Sequence, residues 1–118
     1  MTARALVGAR FRLHGRDAAT GLDCVGVVAL ALGIDDVPTG YPLRGGDPER
    51  WTAVLDARLR RVATWGAGDL LLMTTGPGQL HLGIWTGDAL VHADVALGRV
   101  VERPGVPPWP VLGCWRRG

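Results

Sequence analysis

Cys24 stands at the start of an apolar stretch, a position that suits a reactive thiol. The stretch is GLDCVGVVALALG, residues 21–33, and its apolar run predicts a helix buried on every side. Asp23 is placed to cap the first turn of this helix, and Gly33 is placed to end it. Unpaired backbone N–H groups at a helix start lower a thiol pKa, so we predict that Cys24 is a nucleophile. The alternative is a small buried cysteine that happens to lie at a helix end.

Two of the three histidines, His81 and His92, lie on consecutive strand candidates, LHLGIWT and DALVHAD. A two-residue turn at Thr86-Gly87 pairs them directly, and a turn at Gly87-Asp88 places them diagonally. In both registers they share one face of the sheet, within about 4.5–8 Å. A three-residue loop without a bulge would place them on opposite faces. A histidine near the thiol could act as its base, with a second polar residue to orient the imidazole.

A zinc site is an alternative use of the same residues. Four ligands could come from Cys24, His81, His92 and Cys114. However, no two of them are spaced closely in the sequence, as in Cys-x-x-Cys, so no single local element could supply two ligands. We therefore favour nucleophilic chemistry and expect no metal or cofactor. Cys114 lies in another strand candidate and is predicted to be a buried structural thiol. The chain contains no serine, which excludes a serine nucleophile.

Length and composition predict a single domain over residues 1–118. The hydrophobic fraction of 47% is sufficient for a core. A net charge of +2 with scattered arginines argues against a nucleic-acid partner. The N-terminal apolar run is too short for a signal peptide, and no segment approaches the roughly 18 apolar residues of a membrane span.

Helix patterns come first along the chain and strand patterns follow, which predicts an α+β domain. Residues 2–9 are predicted to form a short helix. Residues 47–63, DPERWTAVLDARLRRVA, are predicted to form one amphipathic helix. The segments RFRLHGRDAATG and DDVPTGYPLRGGDP are predicted loops. The strand candidates are GDLLLMTT, LHLGIWT, DALVHAD, GRVVER and VLGCWRR.

Three motifs in order, GLDCVGVV, HLGIWTG and LVHA, resemble those of the NlpC-type cysteine peptidases of bacterial cell walls. The resemblance implies a papain-like α+β fold, with N-terminal helices packed on an antiparallel β-sheet. Members carry an Asp-Cys-x-Gly motif at a helix start, a histidine on a strand and a third polar residue one strand later. Cys24, His81 and His92 match these positions. The segment RFRLHGRDAATGLDC is most similar to the branch associated with phage tails and gene-transfer particles.

The implied reaction is hydrolysis of peptidoglycan stem peptides between γ-D-glutamate and a diamino acid. Cys24 would attack the carbonyl, His81 would act as base and then acid, and His92 would hold His81. His14 and Asp17, in the loop before the helix, are candidates for substrate contact. Many members have a Pro-Tyr pair before the catalytic helix; the matching positions here are Arg10 and Phe11, so the tyrosine hydroxyl is missing.

Two other functions stay open on the same fold. One is a catalytically silent domain that binds wall peptides or takes part in phage-tail assembly, and the other is a thiol amidase or acyltransferase. The expected partners are stem peptides and, for the tail branch, phage-tail or gene-transfer-particle proteins. We expect synthesis in the cytoplasm, and action at the cell wall or periplasm or within a tail-like particle.

Overall fold

The structure is a computed structural model that describes residues 2–41 and 46–118. A 3₁₀ helix (Ala3–Leu6) precedes two α-helices, α1 (Cys24–Leu32) and α2 (Pro48–Asp56). The strands are β1 (Arg16–Asp17), β2 (Gly21–Leu22), β3 (Arg60–Val62), β4 (Leu70–Gly76), β5 (Gln79–Trp85), β6 (Ala89–Asp94), β7 (Arg99–Pro104) and β8 (Val111–Arg116). The α+β class is confirmed. Within the predicted loop 35–48, residues 42–45 lie outside the described residues.

The main sheet has six antiparallel strands in the order β3-β8-β4-β5-β6-β7. Strands β4 to β8 correspond to the five strand candidates of the sequence, which are confirmed. Strands β1 and β2 form a separate small hairpin, which, except for Leu22, lies in the segment that was predicted to be a loop.

The prediction of one helix over residues 47–63 is wrong, because α2 ends at Asp56 and β3 follows. Its beginning is as predicted, with Asp47 as the N-cap and Pro48 in the first turn. Residues of β3 pair with the edge of β8, for example Val62 with Cys114. Backbone hydrogen bonds to an open sheet edge outweigh the helical spacing of the apolar residues, which is a weak signal beside tertiary pairing.

Helix α1 is buried on nearly every side, as predicted, and packs on one face of the main sheet. Its core side chains, Val25, Val27, Val28 and Leu32, are each at most 6% exposed. Asp23 caps its start, and Gly33 ends it with φ 68° in the left-handed region. A second apolar cluster, which includes Leu71, Met73, Trp85, Leu90 and Cys114, covers the other face. Of the helices in the described ranges, none is long and apolar enough to cross a membrane.

At Gly26, helix α1 packs directly against the backbone of the loop that precedes it. A Cβ atom on Gly26 would overlap the carbonyl oxygen of Gly15 and lie 3.1 Å from Leu22 Cδ2. Gly15 is packed as closely, because a Cβ there would overlap the carbonyl oxygen of Gly21. The loop, the β1–β2 hairpin and the first turn of α1 therefore form one tight unit around Cys24.

Gly26→Ala tests this contact. Alanine normally stabilises a helix interior by roughly 0.5–1 kcal/mol relative to glycine. Here we expect the opposite sign, a loss of about 1–3 kcal/mol in the free energy of unfolding, since the methyl group overlaps backbone that cannot move aside. Denaturant unfolding measures this value. Gly40→Ala is the control, because a Cβ at exposed Gly40 meets nothing within 4 Å; equal stability of the two variants would contradict the contact.

Candidate active site

A single cleft brings together Cys24 and His81, two of the three predicted catalytic residues. Cys24 is the first residue of α1 and is half-buried. The aromatic rings of Phe11, Tyr41 and Trp51 also line this cleft. A partly buried thiol and an imidazole therefore line one cleft whose walls are mainly apolar.

The third predicted residue, His92, bonds directly to His81. His81 Nε2 lies 2.8 Å from His92 Nδ1. Strands β5 and β6 have the register of the Gly87-Asp88 turn, with Ile84 opposite Val91, so the two histidines are diagonal neighbours. The prediction that they share a face is confirmed, in one of the two registers that the sequence allowed.

The hydrogen bond between the two rings decides what His81 can do. One nitrogen donates and the other accepts, and the roles depend on the tautomer. When His81 carries its proton on Nε2 and His92 Nδ1 accepts it, His81 Nδ1 keeps a free lone pair. In this tautomer His81 can take a proton from a thiol, and His92 stabilises the resulting imidazolium.

The thiol and the imidazole are both neutral in the resting protein. Burial, and next to it the charge of Asp23, raises the pKa of Cys24 from 9.0 to about 11, although the N–H of Leu82 favours the thiolate. Burial, and next to it the charge of His92, lowers the pKa of His81 from 6.5 to about 4. The predicted low thiol pKa is therefore wrong. The start of α1 is buried beside an anion, and both effects outweigh the backbone N–H groups.

Asp23 is 2% exposed and holds the entrance of α1 together. Its Oδ1 accepts from the Gly26 N–H at 2.8 Å and from Arg16 at 3.0 Å. Its Oδ2 accepts from the His14 N–H at 2.8 Å and from the Tyr41 hydroxyl. The structural role predicted for Asp23 as a helix cap is confirmed, and its charge is matched by Arg16.

Tyr41 is a cleft residue that the sequence analysis missed. Its hydroxyl donates to Asp23 and accepts from Arg16 at 3.0 Å, while its ring meets that of Trp51 edge-on at 5.6 Å. Burial, followed by the bond to Asp23, raises the pKa of Tyr41, so the hydroxyl stays protonated. The sequence did offer a reason to expect Tyr41 near Asp23: a buried carboxylate needs hydrogen-bond donors, and the chain has one tyrosine. Tyr41 thus places a hydroxyl in the cleft that Phe11 lacks.

The two candidates for substrate contact, His14 and Asp17, are not among the residues that line the cleft. His14 Nε2 lies 2.6 Å from the Tyr41 carbonyl oxygen, and the His14 ring packs edge-on against the Tyr41 ring at 4.6 Å. Asp17 is exposed and accepts from the Ala19 N–H at 2.9 Å, within its own turn. Both contacts order the loop that carries Arg16, and a role in substrate binding stays a prediction.

Cys114 is buried, as predicted, at 4% exposed. Its Sγ donates to the Val62 carbonyl at 3.1 Å, and both cysteines are free. Within the part of the chain that the structure describes, no three His, Cys, Asp or Glu side chains are grouped so that they could hold a metal ion. The four residues of the zinc alternative therefore do not come together.

A solved structure with a similar fold is that of the P60 domain from an antigen of M. avium subspecies paratuberculosis. The two chains are 19% identical with a TM-score of 0.58, and the match covers 98% of this chain and 88% of that one. Comparison with models of protein families and with curated proteins found no match. At this identity the likeness concerns the fold alone, and at that coarse level it supports the predicted papain-like α+β fold.

Asp23→Asn tests the electrostatics of the thiol. Removing the neighbouring negative charge should lower the pKa of Cys24, so that alkylation by iodoacetamide becomes fast at a lower pH than in the wild type. Mass spectrometry of the labelled peptides measures the rate against pH, with buried Cys114 as a slow internal reference. We also expect a loss of roughly 1–3 kcal/mol in stability, because Arg16 and Tyr41 lose a charged acceptor.

The matched control is Asp17→Asn, which removes an exposed carboxylate from the same loop and should leave the alkylation profile unchanged. Circular dichroism establishes that both variants fold. A folded Asp23→Asn protein with the wild-type profile, or wild-type Cys114 that reacts as fast as Cys24, would contradict this account of the cleft.

Proposed function

We propose that this protein is a cysteine peptidase that hydrolyses peptidoglycan stem peptides, with Cys24 as nucleophile, His81 as base and acid, and His92 as the orienting residue. The observation that carries the proposal is the 2.8 Å bond between His81 and His92 at a cleft that also holds Cys24. The fold supports the proposal, because a solved structure with a similar fold is that of a P60 domain.

The proposed reaction starts from the neutral pair. His81 Nδ1 removes the thiol proton as Cys24 Sγ attacks the carbonyl carbon, so no free thiolate is needed beforehand. The backbone N–H of Cys24, at the start of α1, is one donor to the developing oxyanion. His81 then gives the proton to the leaving amine, which departs and leaves a thioester. Water, deprotonated by His81, hydrolyses the thioester and restores the enzyme.

The proposed scissile bond joins γ-D-glutamate to a diamino acid, as the sequence motifs imply. The aromatic and aliphatic walls of the cleft suit the apolar parts of such a peptide, and the Tyr41 hydroxyl, which donates its proton to Asp23, could only accept a hydrogen bond from it. We further propose that the protein reaches the wall as part of a tail-like particle, in keeping with the branch that its N-terminal motif resembles.

One observation favours a second candidate, a silent domain that binds wall peptides without cleaving them. The thiol pKa is raised by burial and by Asp23, whereas a resting thiolate would need it lowered. Such a domain would retain the cleft and the stem-peptide ligand but not the chemistry. Cleavage and binding assays on the same peptides separate the two candidates.

Cleavage of defined muropeptides tests the proposed nucleophile. We expect wild-type protein to release two fragments split after γ-D-glutamate, detected by mass spectrometry. Cys24→Ala should abolish cleavage, and His81→Ala should be nearly as damaging, since nucleophile and base act as a unit and their losses do not add. Cys114→Ala is the control and should keep activity. Cleavage by Cys24→Ala would refute the mechanism, while binding without cleavage by the wild type would support the silent domain.

Substitution of His92 tests the orienting role. Gln or Asn offers an amide oxygen to the His81 N–H, so His92→Gln should keep substantial activity. His92→Ala should lose more, though less than Cys24→Ala, because a general-base step contributes roughly 10²–10⁴-fold and His92 acts only through it. Steady-state kcat and KM on the same muropeptide measure both. If His92→Gln were as inactive as Cys24→Ala, the two histidines would have to exchange roles, and if His92→Ala matched wild type, His92 would have no role.

A further inference from the structure

Trp109 completes a group of three rings with the two histidines. Its ring centroid lies 5.9 Å from that of His81 and 5.6 Å from that of His92, and both contacts are edge-on. The two imidazoles are themselves edge-on at 4.9 Å. Each ring therefore touches the other two, so the indole is a direct neighbour of both members of the pair.

The segment that delivers Trp109 is stiff. Trp109 lies between Pro108 and Pro110, in the connection from β7 to β8, and each proline ring fixes one backbone angle. The Pro110 carbonyl accepts from the Thr74 N–H at 3.1 Å, which ties the segment to β4. The Arg103 guanidinium, from β7, lies over the indole with its carbon 5.7 Å from the ring centroid. The indole is thus held from its backbone and from one face.

The protonation state of His92 controls the hydrogen bond to His81. His92 Nδ1 can accept only while it is unprotonated. A proton on Nδ1 would reverse the bond, with His81 Nε2 as the acceptor, and His81 Nδ1 would then offer no lone pair to the thiol. His92 is 4% exposed, and burial lowers its pKa. Two charged side chains act on it in opposite directions: Asp94 on β6 raises the pKa, and Arg103 on β7 lowers it. The side chains packed around His92 therefore affect whether its Nδ1 is free to accept the hydrogen bond from His81.

We propose that Trp109 is a positioning residue for the His81–His92 pair: its indole packs against both imidazoles, limits the water that reaches them and keeps His92 Nδ1 directed at His81 as the acceptor. Trp109 acts on the reaction only through this pair. Its catalytic consequence rests on the proposed peptidase function, but the effect on the histidines belongs to the free protein and can be measured without substrate.

The experiment follows the imidazole resonances of His81 and His92 by NMR as a function of pH, in the wild type and in Trp109→Ala. Water that replaces the indole should make both histidines titrate closer to the ordinary value, that is, at higher pH. Because the protonated pair is inactive, the acid limb of kcat/KM should move the same way. A shift of about one pH unit lowers kcat/KM roughly tenfold at pH values below the acid limb and changes it little at pH values above the limb.

Three further variants sharpen the result. Trp109→Phe keeps a ring at the position and should restore most of the wild-type titration. Arg103→Gln removes the cation and should raise the pH at which His92 titrates. This variant tests the surroundings of His92 while leaving the indole of Trp109 in place. Trp65→Ala is the matched control. Like Trp109, Trp65 is half-buried against the second apolar cluster, but its ring does not contact the histidines. It should leave both titrations unchanged.

Histidine titrations that stay at the wild-type pH in folded Trp109→Ala, or that change equally in Trp65→Ala, would overturn the inference. If Trp109→Ala does not fold, Trp109→Leu takes its place, and wild-type histidine titrations in folded Trp109→Leu would overturn the inference in the same way. If the wild type cleaves no wall peptide but the histidines still shift in Trp109→Ala, the peptidase proposal fails and the positioning role stands.

Discussion

The carboxylate of Asp23 is buried, and each of its oxygens accepts two hydrogen bonds. The donors come from three separate segments: the loop around His14 and Arg16, the first turn of α1, and Tyr41. An unpaired buried carboxylate would be strongly unfavourable, so these segments must stay in contact once α1 docks on the sheet. The contact of Gly26 with Gly15 leaves room for this arrangement and places Cys24 at the cleft.

The same carboxylate limits the chemistry of Cys24. A charge that stabilises the helix start also disfavours a thiolate one residue later, and burial acts in the same direction. A nucleophile in this environment depends on a base that removes its proton during attack, not on a thiolate formed beforehand. In the proposed reaction the bond between His81 and His92 meets that need, because it leaves one nitrogen of His81 free and gives the other a partner.

The second half of the chain brings the two histidines together through sheet geometry. The paired residues of β5 and β6 end at Ile84 and Val91, and the two histidines bond beyond that point, where Trp109 covers them. The prolines around Trp109 had no predicted function in the sequence. Their segment connects β7 to β8, which lie on opposite sides of β4, β5 and β6 in the sheet, so it crosses the strands that carry the two histidines.

The amino-acid sequence by itself determined the features that depend on near neighbours: the capped helix at Cys24, the five C-terminal strands and the shared face of His81 and His92. Caps, turns and alternation act over a few residues, so they can be recognised without the fold. Tertiary structure decided the end of α2 at Asp56, the position of Tyr41 in the cleft and the raised thiol pKa. Sheet pairing, burial and charge neighbours join segments far apart in the chain, and no local pattern records which of them will meet.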